Sequence, residues 1–482
     1  MKWVWVAIAI YIVIFGVVTS LRHYNFQTQA WDLGIFDQVV WNISRGNGMS
    51  TTLEFVQNHF AVHMSPILFL LAPGYLVFPS PYFLLILQTI ALALGAWPLY
   101  LLAKKVLFVK SSTSDKIPLA ITTAYLLYPS LHWVNWFDFH PIAFLVPAFL
   151  AAFYFAEKRR WGLMSLFLIL AASAQEDAVL VVAFFGIYLI FKKEWKIGLT
   201  IFLLSILYFL LSIKFIMPYF GGGLLRIDRY AQLGGSFSEI AKNFFIHPSL
   251  FISTIFQWQK LIYLFWLFLP VAFLPLLAPR EWILLIPGIA QNLLTNYAPQ
   301  FASAYQYDSA LIAGIFIAAI YGLKKAIGLF AGFAAATPRA PTALRRSREE
   351  SKKTNGFLVI GLATIVLLAF FIRSPISPFN FPAELFKKSE QTYAFQKMIE
   401  RVPENASVAA HTQIVPHLSQ REKIYMLGYE PALEPDIILI DGSDYFGFGS
   451  PEFFASHIQK YADSGKYSVE ILNNRYYILK KK

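Results

Sequence analysis

The chain has 482 residues, of which 57% are hydrophobic and only 14% charged, against roughly a quarter charged in a soluble domain. That balance excludes a soluble enzyme, a disordered chain and a coiled coil, and apolar runs near the ~20 residues a bilayer demands exclude a β-barrel, whose strands alternate. Cysteine is absent, which removes disulfides, thiolate ligands and a cysteine nucleophile, and the net charge of +12 sits mostly in short loops between apolar runs, a topology signal and not a nucleic-acid one.

The first run, Trp3–Leu21, follows Lys2, lacks a small-residue cleavage pattern and reads as an anchor. Further runs are Pro81–Ala103, Ile117–Val134, Pro141–Ala156, Trp161–Ala174, Ala178–Phe191, Gly198–Met217, Leu261–Ala278, Trp282–Leu294, Ser309–Leu323 and Phe357–Ile372, which predicts a polytopic α-helical membrane protein of about eleven spans. Pro66–Phe78 is too short to cross alone and reads as a half-buried helix. Half of the 40 Lys and Arg lie in alternate loops starting with Lys2. The positive-inside rule then puts the N-terminus in the cytoplasm and the tail outside a plasma membrane. The expected organisation is a membrane domain over 1–372 and an extracytoplasmic α/β domain over 373–482. The membrane domain has outward loops at 22–65 and 218–260 and a basic cytoplasmic loop at 324–354. In the tail, Ser407–Ala410 and Asp436–Asp441 read as strands, Glu390–Arg401 and Pro451–Ala462 as helices, and Tyr467–Leu479 as a hairpin turning at Asn473-Asn474.

Topology is read from Lys and Arg alone, yet Asp32, Asp37, His59, His63, Asp138, His140, Glu176, Asp177 and Asp308 all fall on the outward side. The inward loops offer mainly Lys and Arg. Acidic and histidine side chains near hydrocarbon are costly and functional by default, so one outward reaction chamber is expected. Asp32 suits a helix N-cap, whereas Asp37 sits inside an amphipathic helix beside Phe36 and Val40, where desolvation raises a carboxyl pKa toward that of a general base. His59 and His63, spaced i, i+4, suit a divalent metal such as Mg or Mn, or two interfacial histidines. Asp138 and His140 flank Phe139 next to an aromatic belt, and Glu176-Asp177 interrupt an apolar stretch where a plain turn would use Gly, Asn or Pro. Tyr297, Gln300, Tyr305, Tyr307 and Asp308 offer aromatic faces and polar groups suited to a sugar.

Several segments carry a family resemblance. They are Trp31-Asp32-Leu33-Gly34-Ile35-Phe36-Asp37-Gln38, His59–Pro66, Tyr128-Pro129, Asp138-Phe139-His140, Gln175-Glu176-Asp177 and Val415-Pro416-His417-Leu418-Ser419. The chain resembles, over nearly its whole length, a domain-of-unknown-function family of polytopic membrane proteins whose layout looks like the GT-C glycosyltransferase superfamily. The related pattern often has a basic residue where this chain has Gln175. The resemblance implies a membrane glycosyltransferase of the cell envelope that uses a polyprenyl-phosphate-linked sugar and a glycan, lipid or protein acceptor. It places the catalytic carboxylate on Asp32, with Asp37 as rival. His59, His63, Arg226 or Arg229 would then meet the leaving phosphate, and Asp138, His140, Glu176 and Asp177 would complete a metal site or orient the sugar. The competing class is a transporter or flippase, which also places carboxylates in membranes. The absence of repeat halves argues against it.

Overall fold

The computed structural model describes residues 1–107, 115–223, 226–335, 359–430 and 434–482. Helix α1 (Lys2–Tyr24) buries Val4, Ile8, Tyr11, Phe15 and Val18 along one stripe and turns Trp3, Ile10, Val13 and Val17 outward. Both faces are apolar, as a helix between protein and lipid requires.

A short π-helical turn, Ala30–Gly34, leads into α2 (Ile35–Ser44), and α3 (Leu68–Val77) follows. Helices α4 (Pro81–Leu94) and α5 (Ala96–Val106) run on as one crossing segment, Pro81–Val106. The run expected over Ile117–Val134 is instead two helices, α6 (Lys116–Leu126) and α7 (Pro129–Trp136). Pro129 supplies no N–H to the preceding turn and holds Tyr128 extended, at φ −70° and ψ 120°. Next come α8 (Leu145–Glu157), α9 (Trp161–Ala172), α10 (Ala178–Phe191) and α11 (Trp195–Leu211). Helices α10 and α11 cross backbone to backbone. A Cβ on Gly186 would stand 2.6 Å from the Gly198 carbonyl oxygen, and one on Gly198 2.5 Å from that of Gly186, so only glycine fits at either place.

The stretch over 218–260 mixes turns with short helices where described. It holds α12 (Met217–Tyr219), α13 (Phe237–Ile246) and α14 (Pro248–Ile255), before α15 (Trp258–Phe268). Helices α16 (Ile286–Leu293), α17 (Ser309–Ala335) and α18 (Val359–Arg373) complete the membrane part. The start of the loop expected at 324–354 is thus the end of α17, and its basic run lies outside the described residues.

Each expected apolar run is largely helical, but eleven full crossings are not what the helix lengths provide. Among the described residues, four helices are long and apolar enough to cross: Lys2–Tyr24, Pro81–Val106, Trp195–Tyr219 and Gln306–Leu329. The α14–α15 pair adds a fifth if its 62° bend is one span. Helix α9, with 12 residues, reaches only about 18 Å. Prolines and polar turns cut the other runs short. At the end of the bundle opposite Asp32, Glu157–Lys192 and Arg159–Glu194 pair around a cavity of about 150 Å³. Carboxylates are therefore present there too, each neutralised by a cation.

The C-terminal part carries α19 (Glu390–Ile399), α20 (Pro451–Asp463) and strands β1 (Val408–Ala410), β2 (Ile424–Met426), β3 (Ile437–Asp441), β4 (Tyr467–Leu472) and β5 (Tyr476–Lys481). The sheet order is β2-β1-β3-β5-β4, with β1 parallel to β2 and β3, and β5 antiparallel to β3 and β4. Asn473 and Asn474 both take φ 51°, and the Arg475 N–H reaches the Leu472 carbonyl at 3.1 Å, the type I′ turn that asparagine pairs favour. One apolar core joins this sheet to the first outward segment: Leu33, Phe36 and Val40 pack in the same cluster as Phe395, Val415 and Leu439.

Candidate active site

Asp32 lies in the π-helical turn that follows α1, its side chain 21% exposed. His140 meets it, with Nε2 2.9 Å from Oδ1. The other ring nitrogen, Nδ1, faces the Phe137 carbonyl at 3.2 Å. Both ring nitrogens thus face oxygen atoms, which fixes the imidazole plane against Asp32.

The turn that presents His140 is held by a residue the sequence analysis passed over. Gln88, buried in the middle of α4, donates to the Asp138 carbonyl at 2.8 Å and accepts from the His140 N–H at 2.8 Å. This two-point clamp secures Asp138 at φ 45°, a conformation unfavourable for a non-glycine residue. An amide inside an apolar helix was the available signal. Asp138 itself is buried and accepts from the Gln29 N–H at 2.8 Å, with Arg22 at 3.5 Å. Burial pushes its carboxyl up to about 6, against the opposing pull of Arg22. Arg22 also donates to the carbonyls of Trp136 and Gln27. It ties the end of α1 to the turn that carries Asp138 and His140, a role hidden when it is counted only as a loop charge.

Asp37 faces away from this group. It is fully buried, and its oxygens accept from the hydroxyls of Tyr75 and Ser419, each at 2.6 Å, and from the Gln420 amide at 3.1 Å. Burial raises its carboxyl to about 6, as expected, while those three bonds oppose the rise. Its partners make it a joint between α2, α3 and the tail.

His59 and His63 share one helical turn, with ring centroids 5.9 Å apart, but each is engaged by its own carboxylate. Glu54 faces His59 Nδ1 at 3.0 Å, and Glu176 faces His63 Nδ1 at 2.9 Å. Glu176 also accepts from the Met64 N–H at 2.9 Å. Burial favours the neutral form of Glu176, but His63 outweighs it and holds the carboxyl below its usual range. Asp177, bonded to Gln291 at 2.7 Å, goes the other way, to about 6, through burial and the neighbouring Glu176 charge. Among the described residues no three His, Asp or Glu side chains converge as a metal site. In both rings the carboxylate engages Nδ1, and His59 Nε2 is buried without a hydrogen-bond partner.

The remaining expected residues form the adjoining wall. The Arg229 guanidinium stacks 4.0 Å from the Tyr297 ring centroid and donates to the Tyr307 hydroxyl at 3.3 Å. Tyr305 sets its ring against Phe137, whose own ring stacks on His140. Asp308 is buried behind this wall, accepting from the Tyr263 hydroxyl at 2.7 Å, and Arg226 stays exposed. The Phe36 ring meets both His59, at 5.3 Å, and His140, at 5.7 Å. Asp32, Asp138, His140 and Tyr305 thus come together, His59, His63 and Glu176 stand beside them across Phe36, and Asp37 and Arg226 do not join.

The same architecture occurs in a solved structure. ArnT from Cupriavidus metallidurans bound to undecaprenyl phosphate aligns with a TM-score of 0.55 at 14% identity, covering 99% of this chain and 98% of that one. ArnT from the same organism in the apo state aligns at 12% identity with a TM-score of 0.49, covering 97% of each chain. No curated protein matches the sequence. The DUF2079 family model, described as a predicted membrane protein, matches residues 22–481. That span takes in every residue of the candidate site and all of the tail but Lys482, so the chain belongs to the DUF2079 family of membrane proteins.

Proposed function

We propose that this protein is a GT-C-type glycosyltransferase that moves a sugar from a polyprenyl-phosphate-linked donor to an acceptor hydroxyl on the extracytoplasmic side. The observation that carries this reading is the Asp32–His140 pair just beyond the first span, in a fold shared with a protein that holds undecaprenyl phosphate. Asp32 is the partly exposed carboxylate of the group, whereas Asp138 and Asp37 are buried and occupied. Asp32 takes the proton of the acceptor hydroxyl as its oxygen attacks the anomeric carbon. The bond to the phosphate oxygen breaks, and polyprenyl phosphate leaves with that electron pair. His140 keeps Asp32 oriented, and Arg229, braced on two tyrosines, faces the departing phosphate. Asp138, Arg22 and Gln88 position the turn. No step is assigned to a metal.

Replacing Asp32 by Asn tests the proposal, because Asn keeps the size and removes the base. Protein reconstituted with undecaprenyl-phosphate sugars and candidate acceptors should lose turnover by about 10²–10⁴-fold, with unchanged helicity. Equal turnover in the variant and the parent would refute the reading.

A further inference from the structure

Asp32 is followed inward by the reaction chamber and preceded outward by Trp31, whose ring leaves the membrane domain and meets the tail. Trp31 packs edge-to-face on Tyr429 at 5.0 Å and lies 6.5 Å from Phe446, and Tyr429 in turn meets Phe55 at 6.0 Å. All four rings are exposed, from 39% for Trp31 to 86% for Phe55. We propose that this aromatic face, shared by the first outward segment and the C-terminal domain, is the docking platform for a saccharide acceptor. The inference rests on the transferase reading and names the chemistry of its second substrate.

Position is the first argument. Trp31 immediately precedes Asp32 in the same helical turn, so the aromatic face and the carboxylate are carried by one short segment. The donor lipid arrives through the membrane, and this face opens on the other side of Asp32.

Rigidity is the second. Phe446 is presented by a loop that the fold pins at several points. Its N–H donates to Asp444 Oδ1 at 2.9 Å, and the loop starts at Asp441, a fully buried carboxylate held by Arg475 through two 2.7 Å bonds. Arg475 holds the Asp441 carboxyl below its usual range, against burial. The loop is also tied back toward Trp31: His411 Nε2 reaches the Asp444 carbonyl at 3.1 Å, and the neighbouring Thr412 accepts from the Ala30 N–H at 3.1 Å. A bilayer needs no fixed ring orientation, whereas stacking on a sugar face does, and preorganised rings lose little entropy on binding. Asp444, one-third exposed at the edge of the rings, supplies an acceptor for hydroxyls. Apolar faces rimmed by polar groups mark ligand sites.

The test uses the full chain in lipid nanodiscs on an array of linear oligosaccharides of glucose, mannose and N-acetylglucosamine. The parent should retain at least one series. The double variant Tyr429→Ala, Phe446→Ala should lower that retention tenfold or more. Phe379→Ala, an exposed ring elsewhere, should bind like the parent. No retention by the parent, or equal retention by the double variant, overturns the platform. The chain lacks cysteine, so Tyr445→Cys gives a unique fluorophore site on the same loop. Quenching of that fluorophore by brominated lipid would place the face in the bilayer and also overturn the proposal. If Asp32→Asn transfers sugar normally while the double variant loses retention, the platform stands and the transferase reading falls.

Discussion

Asp37 shows how one carboxylate can look catalytic and serve assembly. A carboxyl whose folded pKa is about 6, against an ordinary 3.8, binds more protons folded than unfolded between those values. Its contribution to stability therefore falls as pH rises from about 4 to about 6, and above that the buried charge is a standing cost on the order of 3 kcal/mol. Asp37→Asn keeps an acceptor for Tyr75 and Gln420 and can donate to Ser419. Its melting temperature at pH 7.5 should equal or exceed the parent's, and the pH slope between 4 and 6 should shrink. A loss of several degrees at pH 7.5 would show that the charged form is the stabilising one. The sequence made Asp37's desolvation readable, because Phe36 and Val40 flank it. Its partners were not readable, because Ser419 and Gln420 stand 382 and 383 residues away.

Among the helices, the join between α14, α15 and α16 rests on a buried cation. Lys260 is fully buried, and its ammonium donates to the carbonyls of Thr254 at 2.8 Å, Leu293 at 2.6 Å and Thr295 at 2.8 Å. These carbonyls belong to helix C-terminal ends and the turn beyond, where chain ends leave acceptors unpaired and attract positive charge. Lys260→Met would leave all three without that donor and should destabilise the protein by roughly 2–5 kcal/mol, read as a lower melting temperature in detergent. An unchanged melting temperature would mean that water replaces the ammonium. Lys260 was legible only as a loop charge, because the carbonyls it satisfies come from two other segments, the end of α14 and the end of α16 with the turn beyond it. The helices themselves were legible wherever apolar runs are long. Their breaks, as at Pro129, follow local rules that hydropathy does not contain.

For the molecule as a whole, the charge pattern of the loops predicts that the tail faces outward. In right-side-out vesicles, a membrane-impermeant amine reagent should modify Lys460, Lys466 and Lys482 and spare Lys104 and Lys158. The reverse pattern would invert the molecule and put Asp32 on the cytoplasmic side. The sequence showed that polar residues gather at one end. It could not show that they divide into an Asp32–His140 group, a His63–Glu176 group and an Asp37 joint, since that division depends on pairings between segments about a hundred or more residues apart.

The stitching of the first outward segment to the tail has a consequence for biogenesis. Ala30 and Asp37 are completed by Thr412 and Ser419, partners 382 residues later in the chain. At about 5–20 residues per second, a ribosome needs roughly 20–80 s to make that intervening chain. During this interval the first segment is already made but lacks the contacts that hold it. A nascent or prematurely terminated chain therefore sits in the membrane with the Ala30–Gly34 turn and Asp37 short of their partners, and the fold around them closes only once the last hundred residues are made.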